Sequence, residues 1–364
     1  MKEPANTNHT KSGHIMRLKT IVTTLTASLM AIAPCQRAEA CTRLVYETGS
    51  GTYITARGMD WNDPKAPTAL WVYPRGMEQN GGVGDNPITW TSKYGSVFVS
   101  FYPANSDGMN EKGLVGNVLY LAESDFGDAA KTGKPTLSIA AWNQYFLDNY
   151  ATVAEAVAAM QDPPFTVIAP VLPNGRAANV HLSISDATGD SAIFEYIDGK
   201  LVIHHGREYD VMTNSPPFDE QLALIKYWRL IGGDRFLPGT INAADRFVRT
   251  DYLLKSTPKF DDKDLALGAA FSVIRSAGVP LGMEDPNHPN ISMTLWRTVA
   301  DHEKMTYYFE SVLNPSVLWV DLNKVDFAKA SGVRTIPIGR ETKLAGEVSA
   351  QFKPAEPIKW LGSE

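Results

Sequence analysis

The chain has 364 residues, 44% hydrophobic and 20% charged, with a formal net charge of −6. That composition supports a globular core and excludes a mainly disordered or collagenous protein. The acidic balance lacks the basic footprint of a nucleic-acid binder, and two cysteines are too few for a disulfide scaffold.

The first segment is set apart from the rest. After a polar start, Met16-Arg17-Leu18-Lys19 forms a short basic region, Ile21 to Ala33 is mostly apolar, and Ala38-Glu39-Ala40 fits the small-x-small pattern of a secretory cleavage site. Residues 1–40 are therefore expected to be a signal peptide that is removed, with Met16 as a competing translation start. The apolar run falls short of the ~20 residues that span a bilayer. The mature chain, residues 41–364, is thus expected to be exported, periplasmic and without stable membrane association. A lipoprotein acylated at Cys35 or Cys41 is the competing reading. Cleavage would take away five basic and two acidic residues, leaving 29 against 38 and a net charge of −9. Such a surface disfavours nucleic acid and anionic membranes as partners.

Cleavage after Ala40 makes Cys41 both the first residue and the single cysteine of the mature chain. It can form no internal disulfide, which marks it as a candidate reactive thiol. A thiol attacks as thiolate, with an ordinary pKa of about 8.5. The α-amine of a first residue, at roughly 7.7–8.0, is substantially neutral near neutral pH. One residue would then carry nucleophile and base together, as in enzymes with an N-terminal threonine. None of His181, His204, His205, His288 and His302 stands in a recognisable nucleophile context.

Cys41 to Tyr46 and Thr52 to Arg57 read as strands around a glycine-containing turn. Folding back returns Arg57 and Asp60 towards Cys41, where a guanidinium would lower the thiol pKa and a carboxylate would orient the amine. An ordinary surface pair at a strand end is the alternative. Further strands are expected at Ser96 to Phe101 and Leu114 to Leu121, then a helical stretch from Pro135 to Met160. Strands follow at Val180 to Ser185, Ser191 to Ile197 and Leu201 to Ile203, the last two joined by an Asp198-Gly199 turn. Helices are expected at Asp219 to Leu230, Ala243 to Leu254 and Asp264 to Ala277, and a hairpin at Met293 to Val299 with Lys304 to Phe309. No linker or repeat divides this order, so one domain is expected.

The segment from Cys41 to Trp61, CTRLVYETGSGTYITARGMDW, resembles the mature start of the choloylglycine hydrolase family, with Arg sixteen and Asp nineteen residues after the cysteine. NEKGL at Asn110 to Leu114, TNSP at Thr213 to Pro216 and DRFVR at Asp245 to Arg249 follow in family order. The resemblance implies an α+β, four-layer αββα N-terminal-nucleophile hydrolase fold with two antiparallel sheets between helical layers. It implies Cys41 as nucleophile, Arg57, Asp60 and Arg246 as its polar supports, and Asn214 as an oxyanion donor. Tyr120, seven residues after Gly113, takes the other oxyanion position, where bile salt hydrolases commonly have asparagine and penicillin V acylases are similar in having tyrosine. Asn117 would replace it if the strand were shifted. The short segment between TNSP and DRFVR looks like the Gram-negative branch, which also includes acyl-homoserine lactone acylases, and leaves homo-oligomer formation open.

The implied activity is hydrolysis of a linear, non-peptide amide in a small-molecule substrate, without cofactor or metal. Penicillin V acylase-like activity leads, with acyl-homoserine lactones as further substrates. Conjugated bile salt hydrolysis is the alternative, and a non-catalytic periplasmic binding protein or a lipoprotein is the alternative from another class. His204-His205 lacks a third ligand at metal spacing. Trp61, Trp71 and Trp90 fit either an acyl pocket or the core.

Overall fold

The computed structural model describes residues 41–171, 178–231, 236–284, 291–314 and 316–363. The expected signal peptide and His288 lie outside the described residues. Strands β1 (Thr42–Glu47) and β2 (Tyr53–Trp61) form the expected hairpin, in a register that sets Arg43 opposite Arg57 and Thr42 opposite Gly58. β1 also pairs with Val211–Thr213 on its other edge, and β2 with Met293–Asp301. Thr306–Ser311, Val317–Asp321 and Gly346–Glu347 complete this seven-stranded sheet, antiparallel except at its last pairing.

The second sheet has nine strands. Its order is Lys200–His205, Ser191–Ile197, Val180–Ser185, Val115–Tyr120, Asn105–Asn110, Ser96–Phe101, Thr68–Tyr73, Arg334–Ile338 and Lys353–Pro354. Asp198 and Gly199 both have positive φ in the two-residue turn between the first two of these strands, the geometry that suits the twist of a hairpin.

Helices cover the outer faces. α1 (Ile139–Asn149) packs on Asn105–Asn110 and Val115–Tyr120, and α2 (Val153–Ala159) on Ser191–Ile197. α4 (Ala243–Ser256) and α5 (Lys263–Ser276) pack on the first sheet, and α3 (Phe218–Ile231) against α4. Strands buried on both faces lose the alternation of a half-exposed sheet, which is why Ser96–Phe101 is buried at every position.

The run from Pro135 to Met160 departs from one continuous helix. It is a short strand, Thr136–Ser138, followed by two helices. Ser138 Oγ accepts the Ala140 N–H and Thr152 Oγ1 that of Glu155, while the Glu155 carboxylate takes the Ala151 N–H. These caps satisfy the first N–H groups of each helix and so favour a new start over continuation.

Candidate active site

The two sheets meet face to face around β2. Its alternation puts Arg57, Met59 and Trp61 on one side, and all three line a cavity with Cys41, Asp60, Phe101, Tyr102, Val118 and Tyr120. The enclosed space is about 100 Å³, below the roughly 300–1,000 Å³ that takes in a drug-sized ligand. It has room for one arm of a substrate, with the remainder outside. Trp61 meets Phe101 and Tyr102 edge to face, at 5.4 and 6.4 Å between ring centroids. Tyr102 has a φ of 52°, a conformation a bulky residue adopts only when its surroundings impose it.

Cys41 stands at the head of β1 and is buried. Its Sγ lies 3.8 Å from Arg57 Nη2, 3.8 Å from Met59 Sδ and 4.0 Å from the Asp60 carbonyl. Burial pushes the thiol pKa up, and the Arg57 guanidinium opposes this. Arg57 is anchored by the Val118 carbonyl of the opposite sheet at 2.9 Å and rests over the Trp296 ring at 4.5 Å. Its Nε and Nη1 have no hydrogen-bond partner.

The backbone of Cys41 is held from residues far along the chain. Arg246, on α4, donates to the Cys41 carbonyl at 2.7 Å, to Thr42 Oγ1 at 2.5 Å and to Asn214 Oδ1 at 3.1 Å. Asn214 Oδ1 also accepts the Cys41 N–H. Two donors on that oxygen leave the other amide atom as Nδ2, which donates to the Tyr120 carbonyl at 2.7 Å. Burial lifts the Asp60 carboxyl to about 6 against the pull of Arg246, the Thr294 hydroxyl, Arg297 and Arg57. Its Oδ1 is buried without a partner.

Of the residues singled out from the sequence, Cys41, Arg57, Asp60, Trp61 and Tyr120 line one cavity, and Asn214 and Arg246 clasp Cys41 from behind it. Asn117 is not brought there. It pairs with Ser183 and Asp107 in the sheet, and its Nδ2 donates to Asp107 Oδ2 at 2.6 Å. Trp71 bonds Ser100 in the second sheet and Trp90 bonds Asp148 near α1, both away from the cavity. His205 pairs with Asp190 at 2.8 Å. Among the described residues no cluster of three or more His, Cys, Asp or Glu could hold a metal ion.

Three supporting residues escaped the sequence reading. Met59 shares the Arg57 face of β2, so the alternation alone could have found it. Gln221, on α3, donates to the carbonyls of Asn214 at 2.6 Å and Pro216 at 2.7 Å, fixing the turn that carries Asn214. Asp107 accepts from Asn117 and from the Tyr307 hydroxyl of the other sheet, and its charge faces Arg57. No local pattern points to either.

Two facing sheets between helical layers, with a buried thiol at the head of a central strand, define the fold of N-terminal-nucleophile hydrolases. The chain belongs to the choloylglycine hydrolase family of linear amide C–N hydrolases, whose family model matches residues 41–334. It is therefore a hydrolase of carbon–nitrogen bonds in linear amides. A penicillin V acylase of Pectobacterium atrosepticum is 47% identical over 89% of this chain and 92% of its own length. The structure of a penicillin V acylase from Agrobacterium tumefaciens matches at 50% identity and a TM-score of 0.81, over 88% of this chain and all of that one. A bile salt hydrolase/transferase of Clostridium perfringens is 27% identical over 78% of this chain and 93% of its own. Among the described residues no helix is long and apolar enough to cross a membrane.

Proposed function

We propose that this protein is a penicillin V acylase-type amidase in which Cys41, freed by removal of residues 1–40, is an N-terminal nucleophile acting after export to the periplasm. The observation that carries the reading is the convergence on Cys41 of a cavity that takes one arm of a substrate, the Arg57 guanidinium and the Asn214 amide. The orphaned Asp60 Oδ1 supports a free terminus, because an ammonium is the donor that a buried carboxylate beside Cys41 lacks.

The Cys41 amine takes the thiol proton as Sγ attacks the scissile carbonyl. Asn214 Nδ2, with one N–H on the Tyr120 carbonyl and a second to spare, and a backbone N–H at Tyr120 stabilise the oxyanion. The ammonium then passes its proton to the leaving amine, and water hydrolyses the thioester with the amine again as base. Arg57 favours thiolate over thiol, while Arg246 fixes the carbonyl of the attacking residue.

The narrow aromatic cavity suits a phenoxyacetyl ring or an alkyl chain, as in penicillin V or a long-chain acyl-homoserine lactone, over a steroid that needs a broad slot. The similarity to a bile salt hydrolase/transferase keeps glycocholate as the second substrate to test. Competition at equal concentrations of the three, with Cys41→Ala as control, should give the higher kcat/KM for penicillin V or the lactone. A clear preference for glycocholate would overturn the substrate assignment. Intact mass of the exported protein should begin at Cys41, and added lipid mass would exclude the mechanism.

A further inference from the structure

A second cavity opens at the edge of the gap between the two sheets, with a volume of about 280 Å³. Leu295 and Trp296 line it from the first sheet and Ile338 from the second, Leu313 and Arg340 from the turns that follow their strands, and the loop after β2 closes it with Lys65. None of its lining residues is acidic. Lys65 and Arg340 are exposed, and among the described residues neither charged group has an ion pair or hydrogen bond. They stand over an apolar floor that includes Trp296, which is 2% exposed and whose indole N–H is buried without an acceptor.

Two cations at the rim and an apolar interior call for an anion carried on an apolar body. The cation pair favours a carboxylate, which accepts two donors at once. We propose that this cleft is a second binding site for small apolar carboxylates, the class of acid that hydrolysis of a linear amide releases. The inference rests on the reaction of the family and not on which acyl group is preferred.

The cleft is wired to the thiol. The Trp296 ring that lines it carries the Arg57 guanidinium 4.5 Å from its centroid, and Arg57 reaches the Cys41 sulfur. On the loop side, the Pro67 carbonyl accepts the backbone N–H of Tyr102, a wall residue of the catalytic cavity. An acid seated on Trp296 therefore touches the support of Arg57 without entering the catalytic cavity, which allows its occupancy to bias the thiol.

The test is calorimetric titration of the processed protein after carbamidomethylation of Cys41, which blocks the catalytic cavity. Phenoxyacetate and octanoate are the probes, and neutral phenoxyethanol is the control. At least one acid should bind with one-to-one stoichiometry and phenoxyethanol at least tenfold more weakly. A Lys65→Ala/Arg340→Ala double variant, with an unchanged thermal midpoint to show that it folds, should weaken the acid at least tenfold. The inference is overturned if neither acid binds the blocked protein, if phenoxyethanol binds equally, or if the double variant binds as the parent does. Since the assay involves no turnover, these failures leave the assignment of penicillin V as substrate untouched.

Discussion

Among the described residues the molecule has two large cores, and they bury different kinds of polar group. Beneath α1 and α2 the core is a lattice of rings. Phe146 contacts Trp142, Tyr145, Tyr150 and Phe194 with centroids 5.1 to 6.4 Å apart. Its buried carboxylate, Asp148, is raised to about 7 by burial and accepts from Trp90 and Gln144, both at 2.7 Å. The Gln144 amide in turn joins Asn105 and Asn143 in a chain of neutral donors and acceptors that ends on the unpartnered Asn143 Oδ1. The core between the sheets instead buries the whole guanidinium groups of Arg57 and Arg246, neither with a carboxylate within 4.0 Å among the described residues. The aromatic core holds the buried carboxyl of Asp148 between two neutral donors, whereas the inter-sheet core holds buried guanidinium groups on neutral oxygens and leaves Arg57 Nε and Nη1 unpartnered, which concentrates positive charge beside Cys41.

The largest effects should separate the two cores outright. Cys41→Ala, or a chain in which residues before Cys41 are retained, should fold with an unchanged thermal midpoint yet lose hydrolysis to background, because the retained Cys41 nitrogen is an amide and no base. Full activity with residues retained would end the distinction drawn for the inter-sheet core. On the aromatic side, Phe146→Ala should cost about 3–5 kcal/mol in denaturant unfolding. The kcat of the folded fraction should stay at the parental value, and a matching fall in kcat would mean that the two cores are coupled.

Next in size is Asn214→Ala. Loss of one preorganised donor lowers kcat by roughly 10²–10³, and the comparison is sharpened if stability changes much less than in Phe146→Ala. The smallest effect concerns Asp60. Burial raises its folded pKa from the ordinary 3.8 to about 6, so the neutral carboxyl is the form its buried site favours. Its contribution to stability is full below pH ~4 and is lost as pH rises through about 6, by up to about 3 kcal/mol for a gap of roughly two pH units. Asp60→Asn cannot ionise. It should melt higher than the parent at pH 8 and equally at pH 4, with activity lost. The gain should shrink once Cys41 is a free terminus whose ammonium pairs with Asp60, and an equal gain with and without the leader would contradict that pairing.

What could be read from the sequence follows from how local each signal is. The β1–β2 hairpin was legible because its strands and turn lie within twenty residues, and the return of Arg57 and Asp60 to Cys41 comes with it. Asn214 and Arg246 were legible through the family motifs alone, since no periodicity links them to Cys41. The break at Ser138 and Thr152 was hidden because alanine-rich helical propensity outweighed two capping side chains in the reading, whereas in the molecule the caps win. Asp107 was invisible for another reason. Its partner Tyr307 lies 200 residues away on the other sheet, so its role exists only after the sheets meet.

The grip of Arg246 on Cys41 spans 205 residues of sequence, and this separation sets a timetable. A ribosome adding roughly 5–20 residues per second makes the helix bearing Arg246 some 10–40 s after the cysteine it will hold. During that interval the thiol is a solvent-accessible side chain near the start of a growing polypeptide, with neither clasp nor pocket. The clasp on Cys41 thus forms late, when a segment translated after two thirds of the message reaches back to the first strand, and a chain truncated before residue 246 lacks it.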